Sequence, residues 1–73
     1  MKVVREMSVD VPGLGQRIKE AREADPRSLK AICNAVGMSQ MNWYRVEAEK
    51  QSLPEPTLRK IEEVLNIDFG VKF

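Results

Sequence analysis

The chain contains no histidine and a single cysteine, Cys33. One cysteine cannot close an internal disulfide, and a structural zinc site draws on four Cys or His ligands, so neither staple is expected. Without histidine, the commonest general base and metal ligand is missing. A Gly-rich phosphate loop is also lacking. Gly13-Leu14-Gly15 has none of the rest of the nucleotide fingerprint and follows no clear βα pattern. No apolar run approaches the ~20 residues of a membrane span. The opening Met1-Lys2-Val3-Val4-Arg5-Glu6 turns acidic too soon to read as a secretory signal. These absences predict a cytoplasmic protein with no metal, no cofactor and no membrane partner, and not an enzyme. Eleven carboxylates are present, but nothing in their spacing pairs them in a cleft.

What is present is ordinary globular composition: 73 residues, 42% hydrophobic and 32% charged. The length predicts one domain over residues 1–73 with a modest core, dependent on good helix packing or a partner chain. The formal net charge is only +1, but it is unevenly spread. Residues 14–60 carry nine basic against six acidic groups, whereas residues 61–73 carry Lys72 against Glu62, Glu63 and Asp68. By charge alone, a nucleic-acid face and a solvated surface fit equally well.

Periodicity divides the chain into strand-like ends and a helical middle. Val3, Arg5, Met7 and Val9 alternate with Val4, Glu6 and Ser8. Ile67, Phe69, Val71 and Phe73 alternate with Asp68, Gly70 and Lys72. Period-two patterning predicts short strands at about 3–9 and 67–73, leaning on the helices or pairing with a second copy. Between them, Leu14, Ile18 and Ala21 mark a helix over 14–24 that Asp25-Pro26 ends. A second helix covers 29–36 behind the cap Ser28, although Asp25 with Pro26 in a first turn is an alternative start. Gly37 suits its left-handed end. A third helix runs from Ser39 to about Lys50 with Trp43 and Val46 inward. A fourth runs from near Pro56 to Leu65, with Asn66 closing it.

The segment Ser28–Glu47 is the informative one. Two amphipathic helices meet across Gly37-Met38-Ser39, and a short turn containing Gly between two such helices is the helix-turn-helix signature, with its core at 28–50. Cys33, Ile32 and Val36 on one helix and Trp43 and Val46 on the other complete the contact. The chain resembles the lambda-repressor-like (Cro/cI, XRE-type) DNA-binding family. The resemblance lies in Leu14-Gly-Gln-Arg-Ile-Lys-Glu-Ala-Arg22, Ile32-Cys-Asn-Ala-Val-Gly-Met-Ser39, Arg45-Val-Glu47 and Thr57-Leu-Arg-Lys-Ile61…Leu65-Asn-Ile67. It implies a mainly α fold, a compact bundle of four or five helices, here with the short terminal strands in addition. It further implies a small, dimeric transcriptional regulator that represses from operator DNA. The family usually has Gln at the position of Leu29, Ala at Cys33, a β-branched residue at Trp43 and Gly at Glu49.

In this motif the second helix enters the major groove with its first residues at the base edges. The helical period sets Gln40, Met41, Tyr44 and Arg45 on one face, opposite Trp43 and Val46. The resemblance makes these four the base-reading residues. Phosphate contacts are expected from Arg27, Ser28, Leu29 and Lys30 at the start of helix 2, from Ser39 and Asn42, and from Lys50, Gln51 and Ser52 after helix 3. For Arg27 and Lys30 singly, a solvated surface charge is an equal alternative. Arg22 and Glu47 each follow an apolar position by one turn, and the resemblance implies an ion pair between them that orients helix 3. A homodimer joined through Phe69–Phe73 is one expected assembly. Two other functions remain open: a protein-interaction module on the same scaffold without DNA, and an antitoxin-like autoregulator.

Overall fold

The computed structural model describes residues 1–73. The elements in chain order are β1 (Lys2–Val4), β2 (Ser8–Asp10), α1 (Leu14–Ala24), α2 (Leu29–Val36), α3 (Gln40–Glu47), β3 (Leu53–Pro54) and α4 (Glu55–Leu65). The fold is therefore mainly helical, four helices with a small sheet of order β2-β1-β3. No helix is long and apolar enough to cross a membrane.

One core serves every element except β2. Val3, Leu14, Ile18, Ile32, Trp43, Val46, Leu53, Leu58 and Ile61 are completely buried, and Cys33, Phe69 and Val71 nearly so. Burying each large aliphatic or aromatic side chain contributes about 1.5–3 kcal/mol. In a domain of this size that makes every one of them consequential.

Three of the four helices end alike. Each closes on a left-handed residue, Gly37 (φ 88°), Glu49 (φ 56°) or Asn66 (φ 54°). The amide of the next residue reaches back five positions: Met38 to the Cys33 carbonyl, Lys50 to that of Arg45, Ile67 to that of Glu62. This bond satisfies carbonyls that the helix end would otherwise strand. Only Gly37 adopts the conformation free of steric cost, and Glu49 stands where a glycine would be the easy choice. The third helix consequently stops at Glu47, short of the Lys50 expected from periodicity. Asp25 is not an N-cap but the C-cap of α1, its amide donating to the Arg22 carbonyl, and α2 begins at Leu29 with the Ser28 hydroxyl accepting the Ala31 amide at 3.1 Å.

The strand-like ends depart from expectation in two ways. The N-terminal alternation is not one strand but a hairpin: Val3 pairs with Val9 across a turn at Arg5–Met7, closed by the Arg5 amide on the Met7 carbonyl at 3.2 Å. β1 also pairs in parallel with β3, Val3 opposite Leu53 and Val4 opposite Pro54. The C-terminal segment 67–73 is not a strand at all. Phe69 (3% exposed) and Val71 (5%) pack into the core, while Gly70 takes φ 74° and interrupts any extended run. Side chains, not a neighbouring strand, satisfy this backbone. Arg17 donates to the Phe69 carbonyl at 2.8 Å, Arg59 to the Val71 carbonyl at 2.8 Å, and the Phe69 amide donates to Glu62 at 2.8 Å. The alternation expected to mark a strand is thus a strap lying on α1 and α4.

Candidate nucleic-acid interface

The Ser39 hydroxyl accepts the Asn42 amide at 3.1 Å and launches α3 directly after the Gly37-Met38 turn. That start fixes which side of α3 faces the core. Trp43 and Val46 are completely buried. On the opposite side Gln40, Met41, Tyr44 and Arg45 are all exposed, Met41 by 66% and Tyr44 by 55%. An exposed methionine and tyrosine side by side, with an arginine and a glutamine, make a surface with both apolar contact area and hydrogen-bonding reach.

Rotation of α3 about its own axis is locked by Glu47. Its Oε2 accepts Arg22 Nε at 2.6 Å and Trp43 Nε1 at 2.5 Å, and its Oε1 accepts Arg22 Nη2 at 3.2 Å. The pair is largely withdrawn from water, with side chains 19% and 7% exposed. The hydrogen bond to Glu47 raises the Arg22 pKa above its ordinary value and keeps the guanidinium charged. A partly buried ion pair of this geometry adds orientation more than stability. Trp43 as a third partner was not anticipated from the sequence, although its position one turn before Glu47 makes the contact natural for an indole N–H that must find an acceptor.

The phosphate candidates divide by what already holds them. Leu29 and Lys30, and Gln40 and Met41, are the first residues of α2 and α3, where helix amides have no partner within the helix. Lys30, Lys50 and Ser52 are exposed, and neither lysine meets a carboxylate. Ser28 and Ser39 act as caps, which occupies an acceptor lone pair and leaves each hydroxyl hydrogen free. Asn42 and Gln51 are engaged with each other, Gln51 Nε2 donating to Asn42 Oδ1 at 2.6 Å, which ties the loop after α3 to the start of that helix.

Arg27 is held away. Its guanidinium grips Asp25 at 2.8 and 2.9 Å and donates to the Val64 carbonyl, pinning the α1–α2 loop to the end of α4. In return, the Arg27 side-chain and backbone hydrogen bonds lower the Asp25 carboxyl to about 2.

The electrostatic sign of this side is clearer than the net charge implies. Residues 28–52 contain Lys30, Arg45 and Lys50 against Glu47 and Glu49. Both acids are already paired, Glu47 with Arg22 and Glu49 with the Met1 amino group at 2.6 Å. Lys30, Arg45 and Lys50 have no such partner, so within residues 28–52 the cations are unpaired and the acids are not, while α1 adds Lys19 together with the exposed Glu20 and Glu23.

Two residues of α1 belong to the same surface and were not foreseen. Gln16 and Lys19 line an open groove with Tyr44, Glu47 and Ala48. For Lys19 the signal was available: Gly15, Lys19 and Arg22 recur at the i, i+4, i+7 spacing of one helix face.

Comparison with protein-family models, curated proteins and solved structures gives no match.

Proposed function

We propose that this chain binds double-stranded DNA in a sequence-dependent way, as a small, dimeric, repressor-like transcriptional regulator of the helix-turn-helix kind. One observation carries the reading. Gln40, Met41, Tyr44 and Arg45 lie together, exposed, on a helix whose other side is completely buried at Trp43 and Val46 and whose orientation Arg22 and Glu47 fix. A surface so held suits insertion into a major groove, where rigid placement of a few side chains decides which bases are read. Arg45 would take guanine O6 and N7, Gln40 adenine N6 and N7, and Met41 the thymine methyl. Tyr44 would stack or reach the backbone. The amides at the starts of α2 and α3, with Lys30, Lys50 and Ser52, would hold phosphates. Arg27 already donates to Asp25 and Val64 through Nε and Nη2, so only its Nη1 would remain for a phosphate. Asn42 and Gln51 would chiefly shape the loop.

The test is selection of bound sites from random duplex DNA, with the mass of the protein measured in solution. Enriched pseudo-palindromes, with half-sites about one helical turn apart, and a dimer are the expected result. No enrichment at low salt would overturn the reading.

The exposure of Met41 and Tyr44 favours one alternative, a protein-interaction module that uses the same helix face. Duplex binding that weakens steeply with salt separates the two, since neutralising phosphates releases counterions.

A further inference from the structure

The geometry points to a phosphate clamp on α1: Lys19 and Gln16, together with the Tyr44 hydroxyl, take one backbone phosphate of duplex DNA beside the groove that α3 enters. This rests on the function proposed above and extends it to a helix outside the motif.

Gly15 brings α1 into place. A Cβ there would fall 2.4 Å from the Glu47 carbonyl oxygen and 2.9 Å from that of Val46, so the α1 backbone lies directly on the end of α3. Lys19 is one turn further along the same row and Arg22 the turn after, reaching the Glu47 carboxylate at 2.6 Å. Arg22 is therefore consumed, whereas Lys19 is exposed and meets no carboxylate. The side-chain cations that do are Arg22, Arg27, Arg59 and Lys60.

The groove itself is built to admit an anion. Its lining offers an ammonium from Lys19, a carboxamide from Gln16 and a phenol from Tyr44, all exposed, over the small side chain of Ala48. Its one acid is Glu47, only 7% exposed and already accepting from Arg22 and Trp43. A phosphate entering here meets three donor side chains and a lining acid that is already paired, while the exposed carboxylates of Glu20 and Glu23 on α1 lie outside the lining. Charge-assisted hydrogen bonds of this kind are about twice as strong as neutral ones.

The experiment compares the wild-type chain with Lys19→Gln, Lys19→Arg and the control Lys60→Gln, which removes the same charge from the exposed side of α4. Affinity for duplex DNA is measured across a salt series. Circular dichroism checks that each variant keeps its helix content. Lys19→Gln is expected to weaken binding about three- to tenfold, equally on selected and unrelated duplexes, and to flatten the slope of log K against log salt by about 0.9. Lys19→Arg restores both, and Lys60→Gln changes neither. A wild-type slope in Lys19→Gln, or an equal flattening in Lys60→Gln, overturns the clamp while leaving the function standing. A wild-type chain that binds no duplex with any salt dependence overturns the function itself and the clamp with it.

Discussion

At Gly15 an added methyl group would have to displace backbone, the carbonyl oxygens of Val46 and Glu47. Backbone at a capped helix end cannot yield by changing a rotamer, so Gly15→Ala must push α1 and α3 apart. The expected cost is about 3 kcal/mol, read as a lower urea midpoint. Gly37 is the useful contrast. Nothing lies within 4 Å of a Cβ built there, so Gly37→Ala bears only the left-handed backbone term, about 1 kcal/mol.

Asp25 supplies a pH dependence. Arg27 holds its carboxyl at about 2, below the ordinary 3.8. A carboxylate depressed on folding lends stability above its unfolded pKa, and that stability drains away as pH falls through the folded value. Stability lost between about pH 4 and pH 2 should therefore be smaller in Asp25→Asn than in the wild-type chain, in thermal melts taken at half-unit steps. Cys33 needs no such adjustment. Burial pushes its thiol up, in keeping with a small core group rather than a reactive one.

Among the elements, α3 and the C-terminal strap are the two whose placement decides most. The Arg22–Glu47 pair joins α1 to α3, and a double-mutant cycle to Ala at both positions should give a coupling of about 1–2 kcal/mol in stability. On the function proposed here, Glu47→Gln should also loosen duplex discrimination, because it frees the helix that would carry the base contacts. Phe69→Ala should cost about 3 kcal/mol, since the strap contributes its ring to the common core.

The helices were legible because each is signed twice, by an apolar stripe and by a terminal residue: Ser28 and Gly37 for α2, Ser39 for α3, Asn66 for α4. The sheet was not. The turn at Arg5–Met7 contains no Gly, Pro, Asn or Asp, so its reversal leaves no chemical mark on an otherwise alternating run. β3 is two residues long and one of them is proline, which argues against a strand by its own chemistry. In the tail, alternation recorded the burial of Phe69 and Val71 faithfully but said nothing about what would satisfy the backbone. Arg17, Arg59 and Glu62 do so from three points on two helices. The candidate site followed the same pattern. The exposed face of α3 could be read from period alone, whereas the occupation of Arg27 by Asp25 and Val64 depends on where loops settle.

For the molecule as a whole, the proposed activity needs a rigid reading helix flanked by unpaired cations, and a net charge of +1 does not reveal that Lys30, Arg45 and Lys50 are free of ion pairs. Arg45→Ala should leave folding intact, since the side chain is exposed and makes no ion pair. On the function proposed here, it should lose about 1–3 kcal/mol of discrimination at a single base pair, measured by competition between selected and singly substituted duplexes.

The small sheet also sets a direction for anything larger. Its β3 border is two residues long and ends in Pro54, which has no amide hydrogen to donate. Its β2 border runs Ser8-Val9-Asp10. Val9 faces Val3 across the hairpin, which turns the peptide groups of Ser8 and Asp10 outward with no strand beyond them. Lateral growth is thus closed on one flank and open on the other, so two molecules meeting edge to edge would join head-on through a dyad at Val9 and could not continue into a fibre.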